Sequence, residues 1–272
     1  MSETFSNDSS GISVESLFIR ERNVLLTRAE FSDLYVDYYL QLADLHERYA
    51  ANLDSLFKEA LAAMVLHSAS RPWNEVCAWT INFQEPLANF FVAGDNPKGT
   101  VVGTIFTENI RESEGNMMFA EFIRGNSPKR RSVVDFDTKE IFEAVEHFYR
   151  QSEQRIARYF RVRDEEYWMF SAQPDCDEAW LKRLELNMLE GLEQAEEFSL
   201  LEKRNYRWDC GCSEEKMFEL LAPTFRADPE MLYQGEEVLR MKCPRCGKPY
   251  LITKEGLEAY TQEDGKEKAG EE

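Results

Sequence analysis

Four cysteines in two close pairs set the tightest limit on how this chain can fold: Cys210-Gly211-Cys212 and, thirty residues further on, Cys243-Pro244-Arg245-Cys246. A short spacer lets two sulfurs of one segment reach the same ion, and zinc takes four thiolates at about 2.3 Å in a tetrahedron. Each pair is therefore half a site, and Cys210, Cys212, Cys243 and Cys246 are expected to hold one Zn2+ per chain. The second half, Lys242 to Lys248, has Pro244 and Gly247 to favour a turn and basic side chains to offset thiolate charge. The single-residue spacer of the first half is tighter than usual, and Gly211 is the residue best able to take the backbone angles it needs. Four sulfurs close the metal's shell, so the default role is structural. Catalytic zinc keeps an open position, and no nucleophile with an orienting base accompanies these cysteines, so an enzyme is not expected.

The 272 residues suffice for one sizeable domain and a small one, and a 43% hydrophobic content supports an ordinary core. A net charge of -19 argues against nucleic acid, whose binding needs lysine and arginine to neutralise phosphates. The start, Met1 to Asp8, has neither a basic region nor an apolar core, so it does not read as a signal peptide. No apolar run approaches the ~18 residues of a membrane span. These features point to the cytoplasm, where thiols stay reduced and a cysteine quartet means metal more often than disulfide. Cys77 reads as a small core residue, and Cys176 is isolated.

Along the chain, polar residues 1–12 are expected to be disordered, with order beginning at Leu17-Phe18-Ile19. From about Arg28 to His67, apolar residues at three- and four-residue spacings predict two amphipathic helices, with His46 and His67 as surface or packing residues. Short apolar runs at 79–83, 90–92, 101–106 and 117–123 predict strands, and the turns between them lack a phosphate-loop pattern. A helix opened by Thr138-Lys139-Glu140, with Ile141, Phe142, Val145, Phe148 and Tyr149 on its apolar face, and strands at 157–162 and 167–172 complete an α+β domain over 13–175, of mostly antiparallel sheet with flanking helices. Residues 176–208 predict a metastable helical linker capped by Asp177 and running through Leu181, Leu184, Met188 and Leu192, with Leu189 alongside. Gly191 and the clustered Glu190, Glu193, Glu196 and Glu197 weaken it. A small C-terminal zinc domain at 209–262 contains a helix from Ser213, a hairpin around the second cysteine pair and a last helix. A charged tail, 263–272, follows.

The cysteine array, ending in Cys246-Gly247-Lys248-Pro249-Tyr250 and Thr253-Lys254-Glu255-Gly256-Leu257, resembles that of the heat-shock protein 33 family. Phe148 to Gln154 is similar to that family's Tyr-x-x-Gln-Ser-Glu-Gln segment, and the order of elements agrees over roughly 17–262. The chain departs from the family at Gln84 to Ala88 and at Glu165-Glu166, where glycines are usual. The resemblance implies an ATP-independent, redox-regulated holdase chaperone. It implies that oxidation pairs Cys243 with Cys246 and Cys210 with Cys212, which releases zinc and unfolds the linker. Leu181, Leu184, Met188, Leu189 and Leu192 would then be exposed to bind unfolding client proteins. A homodimer on oxidation is also implied. The alternatives are a constitutive chaperone or interaction module with purely structural zinc, and a thiol-disulfide exchange enzyme.

Overall fold

The structure, a computed structural model, describes residues 11–110 and 112–270, with 263–270 described by backbone alone. Two compact units divide between Asp209 and Cys210. The first unit begins with strands β1 (Ile12–Ile19) and β2 (Val24–Glu30) and helices α1 (Ser32–Asp44) and α2 (Ala51–Ala69). Strands β3 (Glu75–Gln84), β4 (Leu87–Asp95), β5 (Thr100–Phe106), β6 (Asn116–Arg124) and β7 (Arg130–Phe136) follow, then α3 (Ile141–Gln151), β8 (Ala157–Arg161) and β9 (Glu166–Ala172). Three short helices, α4 (Glu178–Arg183), α5 (Leu186–Leu189) and α6 (Leu192–Ala195), lead into β10 (Phe198–Trp208).

All ten strands share one sheet, ordered β7-β6-β3-β4-β5-β10-β1-β2-β9-β8. Its neighbours run antiparallel except at its middle, where β10 meets β5 in parallel through Arg207 with Thr100 and Trp208 with Val101. On one face lies the main core, which includes α2. That helix is buried at every position from Ala60 to Ala69, as a helix apolar all round must be. His67 belongs to this interior: its ring lies 4.8 Å from that of Trp79, and its Nδ1 is 2.6 Å from the Tyr149 hydroxyl. The Glu153 carboxylate of the Tyr149–Gln154 segment pairs with Arg71 at 2.9 Å and Arg130 at 3.0 Å, which fixes the end of α3 against the β3 side of the sheet.

Over β1, β2, β9 and β8 the other face is covered as well. There Leu17, Ile19, Val24, Leu26, Phe160, Trp168 and Phe170 pack with Trp180, Leu181, Leu184, Leu189 and Leu192 of the short helices. Alternation explains the division: in β1, Ile12 and Val14 face the main core, whereas Leu17 and Ile19 face the second. A strand covered on both faces loses its polar alternation, which is why Tyr167 to Ala172 is an unbroken buried run.

Several expectations are corrected. Ile12 already starts β1, so order begins before Leu17; residues 1–10 of the expected disordered segment 1–12 lie outside the described residues. Arg28 lies in β2, and helix starts only at Ser32. The helix expected through 176–208 is instead three short helices and an eleven-residue strand, all within the first unit. Asp177 does cap α4, its carboxylate accepting the Trp180 N–H at 3.0 Å, but the chain turns extended at Leu184 and again at Glu196. Three of the four glutamates that weaken an isolated helix are paired: Glu196 with Arg22 at 2.9 Å, Glu197 with Arg20 at 3.1 Å, and Glu193 with Arg28. Of the 263–272 tail, the backbone of 263–270 continues the last helix, and 271–272 lie outside the described residues.

The second unit holds α7 (Glu214–Ala227), α8 (Pro229–Tyr233), strands β11 (Val238–Lys242) and β12 (Pro249–Thr253), and α9 (Lys254–Gly270). Ser213 caps α7 by accepting the Lys216 N–H at 3.3 Å, and the strands pair as an antiparallel hairpin. Its buried large apolar residues are Met217, Phe225, Tyr233, Ile252 and Leu257. A core this small seldom stabilises a domain without a metal or a cross-link.

Burial, followed by the positive charges of Arg71, Arg155 and Arg130, holds the His67 pKa well below its ordinary value. The unfolded chain takes up a proton there below about pH 6.5 and the folded chain does not, so stability falls as pH drops through that value. Glu59, raised to about 7 chiefly by burial, works in the opposite direction, so the informative quantity is a difference between variants. From pH 7.5 to 5.5, wild type is expected to lose up to about 1.4 kcal/mol per pH unit relative to His67→Gln below pH 6.5. Denaturant melts across that range check it; parallel profiles would contradict it.

Candidate metal centre

The two cysteine pairs meet in the second unit. Cys210 and Cys212 precede α7, and the positive φ of Gly211, 59°, allows both side chains to turn the same way. Cys243 directly follows β11 and Cys246 sits in the hairpin turn, where the Gly247 N–H donates to the Cys243 carbonyl at 2.9 Å and the Cys243 N–H to the Lys248 carbonyl at 2.8 Å. Gly247, at φ 76°, closes this turn.

The four Sγ atoms lie within 4.8 Å of one another, a group that could hold a metal ion. The pairs interleave: Cys210 Sγ is 3.7 Å from Cys243 Sγ, and Cys212 Sγ 3.6 Å from Cys246 Sγ. Sulfurs at about 2.3 Å from one tetrahedral centre stand about 3.8 Å apart, so the donor set fits a tetrahedral four-thiolate ion. Cys243 and Cys246 are buried, and Cys210 and Cys212 are half-buried.

The electrostatics favour a cation here. Hydrogen bonds from Cys210 and then Cys246 hold the Cys243 thiol far below its ordinary pKa, and the reciprocal bonds, with burial, push Cys210 far above its own. A bond from Cys210 lowers the Cys246 pKa, but donation to Cys243 and burial together push it up to about 12. Sulfurs this close share protons, since several negative charges cannot stand together uncompensated. A divalent ion displaces those protons and favours all four thiolates.

Two side chains brace the site. The Tyr250 hydroxyl, from β12, donates to Cys212 Sγ at 3.0 Å, and the Lys216 ammonium donates to the Gly211 carbonyl. Sequence reasoning marked Tyr250 only as part of a motif; the signal was its place in the strand leaving the second pair. Cys77 and Cys176 lie apart, in β3 and before α4 of the first unit. Leu181, Leu184, Leu189 and Leu192 are buried beneath the short helices, whereas Met188 is 42% exposed.

The fold and site together define a mixed α+β protein carrying a four-cysteine cluster suited to a metal. Comparison with known proteins narrows this. Residues 161–253 match the Hsp33 protein family. Over 77 residues, 28% of this chain, the sequence is 30% identical to the 33 kDa chaperonin of Caldanaerobacter subterraneus subsp. tengcongensis, and the match spans 26% of that relative's length. The fold superposes on the crystal structure of the 33 kDa chaperonin (heat shock protein 33 homolog) of Thermotoga maritima with a TM-score of 0.70, at 13% identity, over 95% of this chain and 100% of that one. These findings support the Hsp33 family.

Removing one donor leaves three sulfurs without a closed shell. Cys243→Ser is expected to lower bound metal from about one ion per chain to near none, whereas Cys77→Ser and Cys176→Ser keep it. Metal content after gel filtration checks this; full retention by Cys243→Ser would contradict the assignment.

Proposed function

We propose that this chain is a chaperone that holds unfolding proteins without ATP and is switched by oxidation of a four-cysteine zinc site. The observation that carries the reading is the second core. Helices α4, α5 and α6 have six, four and four residues, lengths far below what is stable alone, yet they roof an apolar face rich in aromatic residues. Their rim is held by ion pairs such as Arg22 with Asp177 at 2.9 Å, partly open to solvent and of modest strength. Such a roof can leave without dismantling the main core.

Zinc, when bound, keeps the four sulfurs as thiolates and supplies folding energy to the second unit. Oxidation works on the sulfurs themselves. Two thiolates of a pair give up two electrons to a peroxide, whose O–O bond breaks to yield two hydroxides, and a disulfide forms. Disulfide sulfur is a poor ligand, so the second unit loses its staple. Cys210 follows β10 after one intervening residue, and β10 follows α6 after two, so disorder starting at the cysteines reaches the roof through β10. Departure of the roof uncovers Phe170, Trp168 and Leu26 together with Leu181, Leu184, Met188, Leu189 and Leu192, an apolar surface for clients of the same character. The net charge of -19 keeps the loaded complex in solution. A second copy of the chain, docking through the same surface on oxidation, is part of this reading, as is a cytoplasmic setting that keeps the sulfurs reduced. Among the described residues no helix is long and apolar enough to cross a membrane.

Light scattering from a heat-denatured client tests the switch. Protection is expected to be weak with reduced, zinc-loaded protein and strong after peroxide treatment; equal protection in both states would contradict it. Leu184 is fully buried in the second core, and truncation of such a residue costs about 2–5 kcal/mol. Leu184→Ala is therefore expected to protect the client several-fold better than wild type while still reduced, and a variant indistinguishable from wild type would count against the roof.

A further inference from the structure

The four sulfurs are not equivalent. Cys243 and Cys246 are 1% and 3% exposed, so Cys210 and Cys212 are the two that solvent reaches more readily. Between these two, Cys212 accepts the hydroxyl hydrogen of Tyr250 at 3.0 Å. Tyr250 is placed by the opposite half of the site: it pairs with Met241 in the hairpin, four residues after Cys246, with the Lys248 ammonium 5.7 Å from its ring centroid. A hydrogen bond drawn onto a sulfur withdraws electron density from it, and a less basic sulfur is a weaker nucleophile.

We propose that Tyr250 ranks the Cys-x-Cys pair, its hydroxyl holding Cys212 back so that Cys210 is the attacking sulfur and Cys212 the resolving one. The Cys210 thiolate attacks one oxygen of a peroxide; the O–O bond breaks, hydroxide leaves, and Cys210 becomes a sulfenic acid. The Cys212 thiolate then displaces the second hydroxide from that sulfur, closing the disulfide. Both electrons given up by the two sulfurs pass to the peroxide. The regulatory meaning of this order rests on the redox reading above, whereas the ranking itself rests on the hydrogen bond and the burial pattern. Tyr250 is a positioning residue here: it acts on the reacting atom through Cys212 and takes no proton or electron.

Single-hit labelling tests the ranking. The full-length zinc-loaded protein is treated with limiting iodoacetamide, and separately with substoichiometric peroxide and a sulfenic-acid trap, and the modified sulfur is located by fragment-ion mass spectrometry. Wild type is expected to carry more of both modifications on Cys210 than on Cys212. In Tyr250→Phe, which keeps the ring, the Cys212-to-Cys210 ratio is expected to rise about threefold to tenfold, the range a hydrogen bond to a charged group supports when about 0.4–0.5 of the change in sulfur basicity appears in its rate. An unchanged ratio at equal zinc content would overturn the proposal. If Tyr250→Phe fails to keep zinc, the wild-type distribution decides, and a share on Cys212 equal to or above that on Cys210 overturns it. Client protection is not read in either experiment, so the chaperone reading and this ranking stand or fall separately.

Discussion

The sheet is continuous because of one strand. On one side of β10 lie β1, β2, β9 and β8, on the other β3 to β7, and the join to β5 consists of two residue pairs. What fixes β10 is polar as well as apolar: the Arg204 guanidinium donates to the Arg71 carbonyl at 2.7 Å, and the Tyr206 hydroxyl donates to Asn96 Oδ1 at 2.7 Å. Buried polar groups with partners specify one register, and losing a partner costs more than the bond contributes. The strand therefore sits in one place while its β5 side depends on little pairing. Its other end leads to the cysteines, and the short helices run into its start, so the second core and the metal centre share this one tie along the chain.

That arrangement accounts for how the helices α4 to α6 can be ordered without being stable by themselves. Their apolar side chains have a sheet face to bury, and Trp180 lies under the Arg22 guanidinium at 5.5 Å, so the rim adds cation–π contact to charge pairing. The acidic run that disfavours a free helix is matched to Arg20, Arg22 and Arg28, which come from the β1–β2 hairpin. Stability is thus borrowed from tertiary contacts.

The sequence made the metal centre legible because coordination is a local constraint: two short spacers and a hairpin turn with Gly247 already place four sulfurs. Apolar runs likewise disclosed β3, β4, β5, β6, β8 and β9. Strands β2 and β10 were hidden because Leu, Ala, Glu, Lys and Arg favour helix, and only tertiary pairing decides otherwise. In β10 the buried alternate positions include Arg204, so no period-two apolar signal exists to read. The edge strand β7 is polar on its open side for the same reason edges usually are. Glu165 shows how a departure from the family pattern is absorbed: where a glycine turn is expected, its carboxylate instead accepts from Lys58 at 2.6 Å and Ser32 at 2.7 Å.

The central claim is that the state of the sulfurs decides whether residues 178–195 stay folded onto the sheet. Amide hydrogen exchange before and after complete peroxide oxidation, with thiols counted in the same samples, measures this directly. The expected result is loss of protection across 178–195 and the end of β10, with α2 and β3 still protected. Full retention of protection at 178–195 in protein whose four cysteines are oxidised would contradict the account.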